Sequence, residues 1–413
     1  MPYIADLHTH SYFANACSPQ LTIPNLAKWA KIKGIDLVGT GDCLHPEWLN
    51  ELKRILQPTP TGFYDYEGVK FVVSTEVSCI YNERGKTRKV HMLLYLSSLS
   101  NAERLMNEMT NKGANLKADG RPIVSFSVQE LCEIVFSIDP KAIIIPAHIW
   151  TPWFGMFGSK SGYDFFAECF GKFANQIYAI ETGLSSDPTM NWRIADLDHK
   201  SIVSFSDLHS LPRLGREVTY FDGEFSYDGL VDALRTEKIL GTIEFFPEEG
   251  KYHLSGHRKC DVVYDSKQLR EFGEICPKCG KKITIGVIER IEDLATRTED
   301  DLKLITEKGI TKSQAFPNRP GFQKLVQLEE IIAESLGQNV QTKAVQQKYE
   351  QMILAIDNEI KILTQTPLDV IAMVAGEKIT EGIKRVREGN ITIEPGYDGT
   401  YGKVKIWHEE EED

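Results

Sequence analysis

The chain has 413 residues, of which 42% are hydrophobic, so it is long enough for about two to three domains and apolar enough for a substantial core. Its formal net charge of −12 excludes a surface that coats DNA indiscriminately, because phosphate affinity comes largely from basic residues that release counterions. No apolar stretch reaches transmembrane length, and Met1 to Asp6 lead into a predicted strand rather than a cleavable leader, so we expect a cytoplasmic protein without membrane contact.

The first predicted strand, residues 2–7, is followed by the histidine pair His8-x-His10. Because side chains alternate along an extended strand, two imidazoles at this spacing point to the same side and can bind one ion. A helix predicted over 23–33 and a strand over 36–38 then begin an alternation of helices and strands. This rhythm is typical of an α/β fold of the barrel type.

Ligand-type residues repeatedly end or follow apolar runs such as 71–73 and 142–145. A single histidine in such a place is usually an ordinary core or surface residue. Six of the ten histidines of the chain occur at these positions together with three acids, which instead favours a metal centre. The nine candidate ligands are His8, His10, Asp42, His45, Glu76, His91, His148, Asp207 and His209.

The strand predicted over 202–205 leads into Asp207-x-His209, which repeats the spacing of the histidine pair with one harder oxygen ligand. Both pairs would lie at the carboxyl ends of strands, where barrel-type α/β enzymes gather catalytic groups. Imidazole and carboxylate ligands without thiolate suit zinc, manganese or iron in a hydrolytic role. Ions that share a carboxylate would bind a phosphate oxygen and activate water, so phosphoester hydrolysis is the favoured chemistry.

The cysteines are unevenly placed, because five are scattered through the predicted barrel while three lie in His257-x-x-Cys260 and Cys276-x-x-Cys279. Two such pairs, separated by fifteen residues, match a tetrahedral zinc ribbon. A closed zinc site of this kind would stabilise a small module rather than catalyse. A redox-active cysteine pair is the weaker alternative, and His253 is a conceivable substitute for His257.

The strand–helix alternation and the ligand spacings predict four regions along the chain. We expect a metal-dependent phosphoesterase barrel over 1–245, a zinc-binding ribbon over 251–290 and a small helical region over 291–390. The tail, 391–413, should be strand-rich with an acidic end, which is more typical of a solvated tail than of a site.

The HxH start, the segment with Asp42 and His45, and the closing Asp-x-His resemble the PHP (polymerase and histidinol phosphatase) superfamily, as do Glu76, His91 and His148. The resemblance implies a distorted seven-stranded β/α barrel whose site holds two or three divalent metals, such as Zn²⁺, Mn²⁺ or Mg²⁺.

The resemblance also assigns ligands to the individual metals. One metal would be held by His8, His10, Glu76 and Asp207. Glu76 would bridge to a second metal held by His91 and His148, and His209 would serve a third. Because Cys43 and Leu44 separate Asp42 from His45, it stays open whether Asp42, His45 or both reach a metal.

The segments 255–260 and 276–290, together with Glu394-Pro-Gly-Tyr-Asp-Gly-x-Tyr-Gly402, narrow the resemblance to the endonuclease Q family, which joins a PHP barrel to zinc-binding and helical regions. The resemblance covers nearly the whole chain. It implies a DNA repair endonuclease that hydrolyses the phosphodiester bond 5′ to uracil, hypoxanthine or xanthine, and at abasic sites, by a multinuclear metal mechanism. Its catalytic residues would be Asp207, Glu76 and His8, and its partner would be damaged DNA.

An enzyme that selects a damaged base in a duplex usually extrudes it into a pocket with flat walls and polar groups. The loops 150–163 and 181–192 offer such residues, although aromatic loops also cap barrels as plain packing. Basic residues near the Asp-x-His pair and on the ribbon could form a local track for phosphates. The residues expected to contact DNA are Trp150, Trp153, Phe154, Phe157, Lys160, Ser185, Asn191, Arg213, Arg216, Arg258 and Lys259.

Two other functions remain open at this stage. A small-molecule phosphatase of the PHP type would use the same barrel but would leave the ribbon and the helical region without a task. A non-catalytic nucleic-acid-binding adaptor would need the ribbon alone, and the full ligand set argues against it.

Overall fold

The computed structural model describes residues 2–407, so the acidic end of the expected tail, Glu409 to Asp413, lies outside the described residues. Within this range, no helix is both long enough and apolar enough to cross a membrane.

The strands are short apart from one long hairpin. In chain order they are β1 (Tyr3–Asp6), β2 (Leu37–Gly39), β3 (Gln57–Pro58), β4 (Tyr64–Tyr66), β5 (Val69–Glu83), β6 (Lys86–Leu96), β7 (Ile123–Val124), β8 (Ile143–Pro146), β9 (Ala179–Glu181), β10 (Ser201–Val203), β11 (Val218–Phe221), β12 (Ile239–Glu244), β13 (Ser255–His257), β14 (Val262–Tyr264), β15 (Leu304–Glu307), β16 (Ile310–Ser313), β17 (Gly321–Lys324), β18 (Thr392–Glu394) and β19 (Lys403–Lys405).

Helices alternate with strands in the first part of the chain and dominate after β17. They are α1 (Ile23–Lys33), α2 (Pro46–Ile55), α3 (Leu99–Asn111), α4 (Val128–Ile138), α5 (Phe166–Phe170), α6 (Pro188–Trp192), α7 (Tyr227–Arg235), α8 (Ser266–Phe272), α9 (Val287–Leu294), α10 (Leu328–Ser335), α11 (Lys343–Ala355), α12 (Glu359–Thr364), α13 (Leu368–Ala375) and α14 (Glu377–Glu388).

Seven strands surround an inner core. β1 pairs in parallel with β2 and β2 with β5, while β5, β6 and β8 pair antiparallel in that order. β9 lies beside β8 and pairs in parallel with β10, and a bridge between Thr9 and Leu208 links the chain after β10 to the chain after β1. The ring therefore runs β1, β2, β5, β6, β8, β9, β10, in agreement with the α/β barrel expected from the sequence.

The two faces of these strands pack into two different hydrophobic clusters. Leu37, Val72 and Ile145 belong to the cluster inside the ring. Their neighbours Val38 and Phe71 instead belong to a second cluster that includes the surrounding helices. Since successive side chains on a strand point to opposite faces, such continuous apolar runs are what a sheet buried on both sides requires.

The long hairpin β5–β6 differs from the short strands around it. Its ladder continues to the pair Glu83 and Lys86, and the turn uses Arg84 and Gly85, which both have positive φ. Glu76 and His91 therefore lie in the middle of strands, whereas the sequence placed them at strand ends. The hydrophobic runs mark only the barrel part of each strand, because the extension beyond the barrel is more polar.

Residues 304–324 differ from the helical expectation for 291–390. They form β15, β16 and β17, and β17 pairs in parallel with β12 of the barrel. β-Branched residues in Leu304–Thr306 and Ile310–Thr311, with a turn at Lys308 and Gly309 of positive φ, favour a hairpin. The hairpin is short, and helical patterns flank it on both sides.

A buried ion pair joins the C-terminal helices to the barrel. Nζ of Lys33, in α1, lies 2.6 Å from Oε2 of Glu359, in α12, and both side chains are buried. Glu359 also accepts hydrogen bonds from the Tyr349 hydroxyl at 2.5 Å and the Leu328 backbone N–H at 3.2 Å. Because a buried pair is stable only when its remaining polar atoms are satisfied, this network fixes where the helices dock.

Candidate metal centre

Seven side chains converge at one end of the barrel. His8 and His10 follow β1, His148 follows β8, and Asp207 and His209 follow β10, while β5 and β6 contribute one residue each. The group comprises His8, His10, Glu76, His91, His148, Asp207 and His209, and is called the rim group below.

The first part of the rim group surrounds a common point. Nε2 of His8 lies 3.6 Å from Oε2 of Glu76 and 3.4 Å from Oδ1 of Asp207. Nε2 of His10 lies 3.4 Å from each of the same two oxygens. The ligand atoms of His8, His10 and Glu76 all lie within 4.8 Å of one another, and Oδ1 of Asp207 approaches both imidazoles from a distant part of the chain.

Glu76 also faces a second set of ligands. Its Oε1 atom lies 2.5 Å from Nδ1 of His91 and 3.3 Å from Nε2 of His148. Since Oε2 faces His8 and His10, the two oxygens of one carboxylate point to two different groups of imidazoles. This is the arrangement that a bridging carboxylate requires.

A third set consists of His10, Asp207 and His209, whose ligand atoms lie within 4.8 Å of one another. Nδ1 of His209 lies 3.6 Å from Oδ1 of Asp207, and its distance to the backbone oxygen of Asp207 is 2.8 Å. His209 is more exposed than the other histidines of the group.

The rim group fits divalent cations. Nε2 of His8, Nε2 of His10 and Oδ1 of Asp207 are buried and have no hydrogen-bond partner. Buried polar atoms without partners are rare because each one carries a desolvation penalty. Imidazole nitrogens and carboxylate oxygens are also the ligands that zinc and manganese accept, so a cation between them would satisfy all three atoms.

The carboxylates of the rim group are held in their charged form. Burial alone would raise the pKa of Glu76, but the charge of His91 and the nearby imidazoles of His10 and His148 hold it well below its usual range. Asp207 behaves in the same way, because His8 and His10 outweigh its burial and hold its pKa well below normal.

Two further acids orient the histidines. Oε1 of Glu181 lies 2.9 Å from Nδ1 of His8, and Oε2 of Glu181 accepts the backbone N–H of His148 at 2.8 Å. Oδ1 of Asp42 lies 3.0 Å from Nδ1 of His10. Such bonds fix the ring orientation and the tautomer, so that Nε2 faces the ion.

Asp42 and His45 lie outside the three converging sets of the rim group. Among residues 2–407, neither belongs to the sets of converging ligand atoms, and the ring of His45 stacks on Phe13 with the centroids 4.1 Å apart. Glu181 was missed as a site residue, although it ends the apolar run 177–180 just as other site residues follow theirs.

The backbone is strained where it delivers these side chains. Asp42, His148 and Asp207 have φ values of 48°, 30° and 47°, which non-glycine residues seldom adopt. Gly183 passes so close that a Cβ atom there would lie 2.3 Å from Cβ of His148. Strain of this kind is typical of functional sites, where the surrounding fold imposes a geometry that the local sequence does not favour.

The ribbon ligands form a separate group far along the chain. The ligand atoms of His257, Cys260, Cys276 and Cys279 lie within 4.8 Å of one another, and Sγ of Cys279 is 3.5 Å from Nδ1 of His257. Burial opposes ionisation of Cys276, but the backbone N–H groups of Lys278 and Cys279 lower its pKa to about 7. His253 lies outside this group.

Two solved structures resemble the whole chain. One is the lesion-specific endonuclease PfuEndoQ of Pyrococcus furiosus, with 31% identity, a TM-score of 0.85 and coverage of 100% of this chain and 97% of that one. The other is endonuclease Q in complex with a 27-mer duplex that carries an abasic lesion at the active site, with 32% identity, a TM-score of 0.84 and coverage of 100% and 98%. The chain belongs to the endonuclease Q family.

Two protein relatives and one domain family also match all or part of the chain. The uncharacterized protein YqxK of Bacillus subtilis is 25% identical over 97% of this chain and 98% of its own length. The uncharacterized protein MJ0043 of Methanocaldococcus jannaschii is 32% identical over 63% of this chain, and the match spans about a third of that longer relative, 32%. The MJ0043 C-terminal domain family matches residues 327–390, which contain α10 to α14.

Three of the residues expected to contact DNA lie in the interior. Trp150, Phe157 and Asn191 are completely buried, and Nε1 of Trp150 donates a hydrogen bond of 2.8 Å to Oδ1 of Asn191. The expectation of base contact is therefore not met for them in this conformation. Each fills the core beneath the aromatic loop, which was the alternative left open by the sequence.

The remaining residues of the two loops are closer to the surface. Trp153 is 36% exposed, and Phe154 is half-buried with its ring centroid 4.5 Å from that of His91. Lys160 is exposed and Ser185 is half-buried. Trp153 and Phe154 therefore connect the surface of the loop to the rim group.

The arginines expected to meet phosphate are already engaged. Nη1 of Arg213 lies 2.5 Å from Oε1 of Glu330 in α10. Arg216 donates to the backbone oxygens of Ser206 at 2.8 Å and Asp207 at 3.3 Å, so it supports the strained turn at Asp207. On the ribbon, the basic residues Arg258 and Lys259 are exposed.

Proposed function

We propose that this protein is a DNA repair endonuclease that hydrolyses the phosphodiester bond on the 5′ side of a damaged base. The observation that carries the proposal is the convergence of the rim group, with buried Nε2 and Oδ1 atoms that lack hydrogen-bond partners. Whole-chain similarity to a lesion-specific endonuclease and to a complex with an abasic-site duplex supports the choice of damaged DNA as substrate. Deaminated bases, namely uracil, hypoxanthine and xanthine, are the further substrates we expect.

The proposed catalytic group is multinuclear. His8, His10, Glu76 and Asp207 would hold one divalent ion, Glu76 with His91 and His148 a second, and His209 would contribute to a third. Ions bound there would supply Lewis acidity and lower the pKa of a water molecule toward neutrality.

The protein residues around the ions have their own tasks. Glu181 and Asp42 keep His8 and His10 oriented, and Arg216 holds the backbone that carries Asp207. Asp207 is a ligand before it is a base, because its charge is stabilised by His8 and His10.

Recognition of the lesion would use the loop that follows β8. Phe154 lies against His91, and the partly exposed Trp153 is the next residue outward. A base extruded from the duplex loses its stacking partners, and an aromatic ring at the mouth of the site replaces part of that stacking energy. Damaged or missing bases pair weakly, which lowers the energy needed for extrusion.

The test uses matched end-labelled duplexes that are intact or that carry one abasic site, uracil, hypoxanthine or xanthine, with Mn²⁺, Zn²⁺ or Mg²⁺. We expect a single nick on the 5′ side of the lesion and no nick in the intact duplex. Release of phosphate from small monoesters without nicking would favour the phosphatase alternative. Binding of the lesion duplex without cleavage in any of these metals would favour the adaptor alternative.

A further inference from the structure

One arginine contacts the rim group and was not expected from the sequence. Nη1 of Arg121 lies 3.3 Å from Oε2 of Glu76, the same oxygen that faces His8 and His10. The side chain of Arg121 is 26% exposed, whereas that of Glu76 is fully buried. Arg121 therefore lies between the buried ligands and the solvent.

The loop that carries Arg121 is fixed on both sides. Asp119 accepts hydrogen bonds from the backbone N–H of Asn15 at 3.0 Å, from Nδ2 of Asn15 at 2.6 Å and from the backbone N–H of Arg121 at 3.1 Å. On the other side, the backbone oxygen of Pro122 accepts the N–H of Ser78 at 2.9 Å, next to the start of β7.

Gly120 allows this loop to approach the metal centre. A Cβ atom at Gly120 would lie 2.4 Å from Oδ2 of Asp42 and 2.8 Å from the backbone nitrogen of Ala14. The position thus requires a residue without a side chain. The backbone at Arg121 is consequently fixed by the contact between two loops, and the guanidinium reaches Glu76 from there.

Arg121 differs from the other two arginines near the site. Arg216 is half-buried and donates from Nε and Nη2 to backbone oxygens, and Arg213 is paired with Glu330. Arg121 has five N–H donors in a planar fork, a geometry that matches phosphate oxygens. A guanidinium stays protonated in proteins, so Arg121 carries its positive charge whatever Glu76 binds.

We infer that Arg121 is a catalytic residue that binds a non-bridging oxygen of the scissile phosphate and stabilises the charge that develops there. This inference rests on the proposed function. Cations bound to Glu76 would remove much of the attraction that holds Arg121 to this carboxylate. A phosphate at the rim would then supply the anion that the guanidinium needs, with the preorganised donor already at the site.

The experiment compares Arg121→Gln and Arg121→Lys with Lys117→Gln, which changes an exposed cation in the same loop. Two properties of the Mn²⁺-loaded proteins are measured: calorimetric affinity for inorganic phosphate, and kcat for nicking an abasic-site duplex. We expect Arg121→Gln to weaken phosphate binding about tenfold or more and to lower kcat about 10²-fold. Arg121→Lys should recover part of both losses, and Lys117→Gln should match the wild type.

Bound Mn²⁺ and the unfolding temperature are measured for each variant. The inference is overturned if Arg121→Gln binds phosphate and nicks DNA as Lys117→Gln does, or if its losses follow from missing Mn²⁺ or a lower unfolding temperature. A wild-type protein that nicks none of the duplexes would contradict the proposed function. A loss of phosphate affinity confined to the Arg121 variants would still support Arg121 as the phosphate ligand.

Discussion

The rim group and the ribbon group are both candidate metal sites, but they are built in opposite ways. The ribbon ligands, His257, Cys260, Cys276 and Cys279, lie within one short stretch of chain, and Cys279 is exposed. The rim ligands come from residues 8–209, and His8, His10 and Glu76 are almost completely buried. A local thiolate-rich site can order a small module, whereas a site assembled from many strands exists only when the whole barrel is folded.

The side chains that support the ligands show the same contrast, although left-handed backbone occurs at both sites. Around the rim, Asp42, His148 and Asp207 have left-handed backbone conformations, and Glu181 and Asp42 orient the imidazoles from behind. In the ribbon, Asp261 beside Cys260 also has a positive φ, 49°, and the backbone N–H groups of Lys278 and Cys279 support Cys276. We therefore expect changes at the rim to affect chemistry with little loss of stability, and changes in the ribbon to do the reverse.

The largest effect should follow from Asp207→Asn. The substitution removes the negative charge that faces His8 and His10 in the proposed metal site. We therefore expect kcat for nicking an abasic-site duplex to fall at least about 10³-fold. Duplex binding and the unfolding temperature should stay near those of Asp222→Asn, a control at an exposed position outside the rim group. If a folded Asp207→Asn protein nicks the duplex at the wild-type rate, the rim group is not the catalytic site.

Glu181→Gln should have an intermediate effect. The amide retains the size of the carboxylate but removes the charge behind His8, and loss of such an orienting partner typically lowers metal affinity about 10-fold to 100-fold. Titration with Mn²⁺, followed by calorimetry, measures this directly. Excess metal should restore part of the nicking activity. An unchanged metal affinity would contradict the role of Glu181 in orienting His8 for metal binding.

Cys276→Ser should change stability and DNA affinity more than the rate of chemistry. Loss of one zinc ligand should lower the unfolding midpoint of the ribbon by about 5 °C or more, because the energy of zinc binding contributes to folding of such modules. We expect duplex affinity to fall and kcat at saturating duplex to stay within about threefold. Cys17→Ser, in a partly buried thiol of the barrel, is the control; equal stability and zinc content in both variants would contradict a structural zinc role.

The smallest effect should be a change in the pH dependence of barrel stability. Burial raises the pKa of Glu244 from 4.5 to about 8, although hydrogen bonds from Ser204 and Thr242 oppose the rise. Between these values the folded protein retains a proton that the unfolded chain has released. The contribution of Glu244 to the free energy of unfolding is therefore full below about pH 4.5 and is lost as the pH rises toward 8. The free energy of unfolding in urea should vary less with pH across this window for Glu244→Gln than for the wild type. The same pH dependence in both proteins would contradict a raised pKa of Glu244.

The sequence predicted the barrel and the side chains that converge at its rim, because apolar runs mark the barrel part of each strand and the residues of the rim group follow these runs. The helix predicted over 23–33 is α1, and the apolar run 142–145 forms most of β8 before His148. The ribbon was predictable from ligand spacing alone. For both sites, the residue types that bind metals stand next to elements that the hydrophobic pattern identifies.

What the sequence could not supply were contacts between distant segments. Nothing near Arg121 indicates that its loop meets Glu76, since that contact depends on the approach of Gly120 to Asp42. The orientation of Trp150 toward Asn191 instead of toward solvent depends in the same way on how the loop packs. The strands β15–β17 were missed because their local signal is short, and because β17 pairs with β12, which is distant in sequence.

The most direct test of the central claim is anomalous X-ray diffraction from crystals of the metal-loaded protein, recorded at the absorption edges of zinc and manganese. The account predicts one anomalous peak between His8, His10, Glu76 and Asp207 and another between Glu76, His91 and His148. A separate zinc peak should lie at Cys260, Cys276 and Cys279. A crystal of active protein with metal at the ribbon and none among the rim ligands would contradict it.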